Sequence, residues 1–168
     1  AQPSRKQGLT FEANLGIGWV WQSVEGEDSE SEVALGGLNL GLGGWLNERM
    51  ALTIRAAGAT FSETDGEIDF QFTTGIIGPS LQYWVDDHFW LGGGIGLGFA
   101  SYTIEVGNQS TSDVETGYGL DLRAGYTFST TSDHTWNVSF ELTPSFITID
   151  EVDFTFYSSA ILFGYQHL

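Results

Sequence analysis

From Leu9 the chain alternates. Leu9, Phe11, Ala13, Leu15, Ile17, Trp19 and Trp21 share one parity, and Thr10, Glu12, Asn14, Gly16, Gly18, Val20 and Gln22 share the other. Successive side chains of a strand point to opposite faces, so this period of two predicts a strand with one apolar and one polar or bare face. At thirteen residues, Leu9–Trp21 is long beside the five or six usual in globular proteins. The alternation returns in Met50, Leu52, Ile54, Ala56, in Phe89, Leu91, Gly93, Ile95, Leu97, Phe99, in Tyr118, Leu120, Leu122, Ala124, Tyr126, Phe128, and in Trp136, Val138, Phe140, Leu142. Stretches near 33–46, 68–85 and 154–168 have the same composition with less regularity, which brings the predicted strands to eight.

The connections are of two kinds. Those near 23–32, 62–67, 106–114 and 149–153 are acidic, whereas Asn47-Glu48-Arg49, Asp86-Asp87-His88 and Ser129–His134 are short and mixed. An up-and-down meander puts the four acidic loops at one end and the short turns, with both termini, at the other. The polar parity carries Glu12, Asn14, Asn39, Arg55, Gln71, Asp121, Arg123 and Glu141 among many glycines. That set is too compact for a solvated exterior and suits a narrow lumen, where glycines such as Gly92, Gly94, Gly96 and Gly98 leave room for bulky neighbours. The apolar parity then faces lipid. The fold predicted is all-β, an eight-stranded antiparallel up-and-down transmembrane β-barrel forming a single domain over 1–168, with 1–7 a flexible N-terminal segment. Aromatic residues gather toward both ends of the strands, among them Trp19, Trp21, Phe72, Tyr102, Tyr118 and Phe156 at the acidic end and Trp45, Trp84, Trp90, Tyr126, Phe128 and Trp136 at the other. Two girdles around an aliphatic belt match the two faces of a bilayer.

In these patterns the chain resembles the small OmpA/OmpX-like eight-stranded outer-membrane barrels over essentially its whole length. The resemblance rests on Gly78-Pro79-Ser80-Leu81-Gln82-Tyr83-Trp84 running into an Asp-containing turn, on Gly119-Leu120-Asp121-Leu122-Arg123-Ala124-Gly125-Tyr126, and on the ending Phe163-Gly164-Tyr165-Gln166-His167-Leu168. Members of that family usually end on Phe with an aromatic two residues earlier; here the end is Leu168 with Tyr165 three earlier, a departure that bears on the register of the last strand. The resemblance implies a bacterial outer-membrane location, loops extracellular and short turns periplasmic, and a lumen network that plugs or gates the barrel.

Composition narrows the function further. There are 5 Lys and Arg against 22 Asp and Glu, a formal net charge of −17, and no Cys. A nucleic-acid partner needs a basic face and is excluded, as are disulfide scaffolds and thiolate metal sites. The opening Ala1-Gln2-Pro3 has no basic-then-apolar leader and reads as a mature or trimmed N-terminus.

Two constellations are candidates for function. Glu12, Arg55, Asp121, Arg123 and Glu141 fall at similar depth on the polar parity and predict a lumen ion-pair network. Glu25, Glu27, Asp28, Glu30, Glu32, Glu63, Asp65 and Glu67 predict an acidic loop surface, extended by Asp69, Glu105, Asp113, Glu115, Asp150, Glu151 and Asp153. Like charges at that density favour divalent cations or a cationic surface partner, although no Asp-x-Asp-x-Asp-Gly calcium loop is present. No Ser, His and acid stand at one depth. His88, His134 and His167 sit at separate turns and read as surface. The expectation is a non-enzymatic outer-membrane scaffold or partner-binding barrel with a plugged lumen, outer-membrane lipid around it, and no catalytic residue, metal or cofactor. A narrow gated channel is the first alternative, and a soluble β-barrel binding an apolar ligand is the second.

Overall fold

The computed structural model describes residues 6–24, 27–28 and 32–168, and the side chains of 6–24 and 37–168. Among them eight long strands follow in chain order: β1 Leu9–Val24, β2 Glu32–Asn47, β3 Met50–Asp65, β4 Ile68–Trp84, β5 Phe89–Val106, β6 Gln109–Thr130, β7 His134–Ile149 and β8 Val152–His167. Each pairs antiparallel with the next, and β1 pairs with β8 from Glu12 opposite Gln166 to Val24 opposite Phe154, closing the ring. A closed ring leaves no strand edge unpaired, which a sheet surrounded by hydrocarbon requires. A two-residue ladder, Glu27–Asp28 on Ser23–Val24, carries β1 past the ring. The unusual C-terminal ending does not break closure: Thr10 Oγ1 donates to the His167 carbonyl at 2.7 Å, and the Leu168 N–H to the Asp133 carbonyl at 2.8 Å.

The two faces are inverted relative to a barrel standing in water. Leu15, Leu42, Leu97 and Leu122 are 64%, 61%, 53% and 52% exposed, while Glu12, Arg55, Asp121, Arg123 and Glu141 are all 5% or less. A soluble barrel with an apolar interior is therefore ruled out. On β5 the outward positions from Phe89 to Phe99 are apolar or Gly, then Ser101, Thr103 and Glu105 follow. Some 9–11 strand residues suffice to cross the hydrocarbon. The 18 residues of β5 and 22 of β6 exceed that, and the excess lies at the acidic end.

Three of the four predicted acidic loops are largely strand. Asp65 pairs with Ile68, Val106 with Gln109 and Ile149 with Val152, leaving two-residue turns at Gly66-Glu67, Gly107-Asn108 and Asp150-Glu151. The flanking Thr, Ile, Val and aromatic residues hold extended backbone, and charges spaced along a solvated ladder do not oppose it. The acidic charge density thus marks long hairpins beyond the apolar belt rather than open loops. Gly66 and Gly107 adopt φ of 65° and 60°, the left-handed geometry that two-residue hairpins need at their first central residue.

The girdles also differ from the sequence reading. Trp84, Trp90 and Phe156 are 1%, 2% and 0% exposed because their parity turns them into the barrel. Outside, Trp136 stacks on Phe163 at 5.4 Å with Phe128 beside it at 5.7 Å, near the short turns; Tyr118 stacks on Phe146 and Trp21 on Tyr157, each at 5.0 Å, nearer the acidic end. Gln71, placed on the lumen face from sequence, is exposed; the even positions of β4 turn inward.

Candidate functional site

The ladder brings the charged residues of the lumen into register. Glu12 lies opposite Gly41, Gly41 opposite Arg55, and Arg55 opposite Gly78, while Gly92, Arg123 and Glu141 form a second row. Glycine between the charges is a matter of volume. A Cβ at Gly41 would lie 2.6 Å from Glu12 Oε1, and one at Gly92 2.3 Å from Arg123 Nε.

In that space all five side chains meet. Arg55 Nη1 binds Glu12, its Nη2 lies 2.7 Å from Glu141 Oε2, and its Nε lies 3.3 Å from Asp121 Oδ2. Arg123 Nη1 reaches both Glu12 oxygens at 3.0 Å, and its Nε lies 3.8 Å from Asp121 Oδ2. Three carboxylates thus surround two guanidinium groups, each charge desolvated and each paired. Desolvation is the large adverse term for buried ions, and the charge-assisted hydrogen bonds that Glu12 and Glu141 accept from the guanidinium groups offset it, while Asp121 is held by the nearby charges and by Ser80 alone.

Four further residues complete the cluster. Ser80 Oγ donates to Asp121 Oδ2 at 3.2 Å and accepts from Arg123 Nη2 at 3.3 Å. Asn39 Nδ2 donates to Glu141, and Asn14 Nδ2 to Asn39 Oδ1 at 3.5 Å. The Trp90 ring centroid lies 5.2 Å from the Arg123 guanidinium carbon. Parity had placed Asn14 and Asn39 on this face. Ser80 and Trp90 were missed, Ser80 because a small hydroxyl carries no charge signal and Trp90 because an aromatic near a strand end was assigned to the lipid interface.

The lumen is filled above and below this layer. Toward the acidic end, Thr143 bonds Ser158, and Ser145 Oγ donates to the Gly75 carbonyl at 3.0 Å. Above them Phe72, Tyr102 and Phe156 pack with centroids 4.8 to 6.4 Å apart, against Ala100 and Ile147. Toward the short turns, Gln82 and Gln166 exchange side-chain hydrogen bonds at 3.1 and 2.7 Å, and Gln166 Nε2 also donates to Thr10 Oγ1 at 3.2 Å. Beneath them lie Trp84 and Trp90. Lys6, within the segment expected to be flexible, is 6% exposed and sets its ammonium over the Trp84 ring, 3.5 Å from the centroid.

The acidic surface lies partly outside the described residues. Glu63, Asp65 and Glu67 are exposed on the β3–β4 hairpin. Glu27, Asp28 and Glu32 lie on strand backbone, their side chains outside the described residues, as are Glu25 and Glu30 altogether. No group of three or more His, Cys, Asp and Glu among the described residues has the geometry to hold a metal ion.

Comparison with known proteins agrees with this architecture. The family profile described as outer membrane protein beta-barrel domain matches residues 1–166. No curated protein matches. Among solved structures, the Neisserial surface protein A shares 14% identity at a TM-score of 0.64, covering 95% of this chain and 96% of its own. Ail, the attachment invasion locus protein of Yersinia pestis, solved in complex with the heparin analogue sucrose octasulfate, shares 14% at 0.61, over 93% and 98%. OprG from Pseudomonas aeruginosa shares 13% at 0.52, over 98% of each chain. At such identities these neighbours speak for the fold.

Proposed function

The chain belongs to the outer membrane protein β-barrel family, and on that premise we propose that it is a non-enzymatic, non-conducting scaffold whose acidic hairpins meet a cationic partner or divalent cations outside the cell. The observation that carries this reading is the filling of the lumen through its depth: an aromatic layer, a hydroxyl layer, the ion-pair cluster, an amide layer and a tryptophan layer, in that order. An eight-stranded barrel is only wide enough for side chains to fill, so packing of this kind supports a plug. The ion-pair network of Glu12, Arg55, Asp121, Arg123 and Glu141 serves in this reading as the architectural centre of the lumen, below the smaller apolar cluster of Ala100, Ile147 and Phe156.

The sign of the outer surface supports the choice of partner. Ail was solved with a sulfated, anionic analogue; here no Lys or Arg occurs anywhere from 56 to 122 or from 124 to 168. An anion would be repelled, and a cation is the complementary ligand.

Conductance separates this reading from the gated channel. The purified barrel in planar bilayers is expected to show no steady current, and Arg123→Ala is expected to add brief openings or to lower stability. A regular open level in the unmodified protein would establish a pore and withdraw the plug.

A further inference from the structure

The lowest layer of the lumen contains a binding geometry that the plug does not use. Trp45, at the end of β2, and Trp84, at the end of β4, stand with ring centroids 6.3 Å apart and planes inclined by 50°. The ammonium of Lys6 lies beside the pair and within reach of both rings, 3.5 Å from the Trp84 centroid and 5.8 Å from that of Trp45. The backbone holds this arrangement, since the Trp45 N–H donates to the Gly8 carbonyl at 2.9 Å, two residues from Lys6. Two indole faces meeting a cation within about 6 Å make a cation–π site. Asp86 and Asp87, in the turn after β4, act on the same ammonium as attractive charges, and Arg49, in the turn after β2, as a repulsive one.

We propose that Trp45 and Trp84 form a two-walled aromatic site at the periplasmic mouth that binds organic ammonium groups, with quaternary ammonium preferred, and that Lys6 is its displaceable internal occupant. The preference follows from hydration. A primary ammonium is a compact, strongly hydrated charge and loses much when buried against rings. Burial accordingly pulls Lys6 from 10.5 down to about 8, against the opposing pull of Asp87. The docked state therefore binds its proton less tightly than the free segment, and at neutral pH the charged side chain is held under strain of desolvation. A quaternary ammonium is weakly hydrated and does not titrate. It gains the same ring attraction at a smaller loss, with the carboxylates of Asp86 and Asp87 matching its charge. The site is independent of the acidic hairpins, at the opposite end of the barrel. Its ligand chemistry is shared by choline-type lipid headgroups and by free quaternary ammonium solutes.

The experiment uses isotope-labelled protein in maltoside micelles, with the indole N–H resonances of Trp45 and Trp84 assigned through Trp45→Phe and Trp84→Phe. Without ligand, the Lys6 ε-methylene is expected upfield of its free position, shifted by the ring currents. Choline should move both indole resonances to saturation and return Lys6 to its free shift, while equal sodium chloride leaves them in place. Lys6→Gln, which removes the competing ammonium without touching the strands, should saturate at a choline concentration at least several-fold lower. Trp84→Leu, checked for folding by its heat-dependent gel mobility, should lose the response. Transfer into phosphocholine micelles identifies the source: Lys6 released there without added choline indicates a lipid headgroup, and release only by free choline indicates a solute. Indole shifts that are the same with sodium and choline would overturn the proposal, as would a Lys6→Gln variant that binds no more tightly than the unmodified chain.

Discussion

Arg123 shows how much of this barrel depends on single residues. Its guanidinium serves Glu12, Asp121 and Ser80 from the centre of the lumen and lies over Trp90. Removing one member of a buried ion-pair set leaves the others charged and uncompensated, a cost of about 3–5 kcal/mol. Arg123→Ala should therefore lower the midpoint of urea unfolding in micelles, and Arg123→Lys should recover little, since a point charge cannot span both Glu12 oxygens and Ser80. An unchanged midpoint for Arg123→Ala would mean that the lumen repacks or hydrates freely. The cluster was legible from sequence because charged residues at one parity have few places to go in a chain this acidic. Its size was not. Two of its uncharged members, Ser80 and Trp90, are ordinary residues until the register sets them beside Asp121 and Arg123. Glycine was likewise read too simply: room for a side chain explains Gly41 and Gly92, but a Cβ at Gly94 would lie 2.5 Å from the Pro79 carbonyl oxygen, so that glycine reflects close approach of two strands.

At the scale of strands and hairpins, that distinction changes an expectation drawn from the alternating pattern. Lumen-side substitutions such as Gly94→Ser look milder than lipid-side ones if the interior is merely roomy. With the Pro79 oxygen and the Ser80 Cβ, 2.9 Å away, in its path, Gly94→Ser is expected to destabilise comparably to Leu97→Arg. The latter puts a charge on a side chain 53% exposed on the lipid face, worth about 2–4 kcal/mol near mid-membrane. Unfolding of both variants from lipid vesicles checks the pair, and a silent Gly94→Ser would restore the simpler reading. The hairpin tips make an independent case. Asp150 and Glu151 form the two-residue turn between β7 and β8 with φ of 49° and 68°. Left-handed backbone costs an L-residue about 1–2 kcal/mol and glycine very little. Glu151→Gly should stabilise the barrel by about 1 kcal/mol, visible as slower proteolysis at this tip, and faster cleavage would count against the turn. Strand identity was readable from period two, whereas strand length was not, because Glu and Asp on a solvated ladder look like loop residues in sequence. Gly66 and Gly107 were the available signal for tight turns inside those acidic stretches.

The whole molecule is divided by charge. Fifteen of its 22 acidic residues belong to the four outer connections and their stems, while Lys6 and Arg49 lie toward the periplasmic end and Arg55 and Arg123 inside the lumen. No cation interrupts the outer field, so its range is set by salt: the Debye length falls from about 30 Å at 0.01 M to about 10 Å at 0.1 M. If the acidic hairpins recruit a cationic partner, association of a polylysine-type peptide with the barrel in vesicles should slow steeply over that interval, with dissociation less affected. Replacing Glu63, Asp65 and Glu67 by Gln, Asn and Gln removes three exposed charges from one hairpin without touching the ring. The on-rate should fall while the heat-dependent gel mobility stays as it was. Calcium should compete with the peptide more strongly than sodium at equal ionic strength, because a divalent ion bridges carboxylates on neighbouring hairpins as well as screening them. An on-rate indifferent to both salt and the triple substitution would leave the acidic surface as a solvated, repulsive brush, and the barrel as a scaffold with no partner at that end.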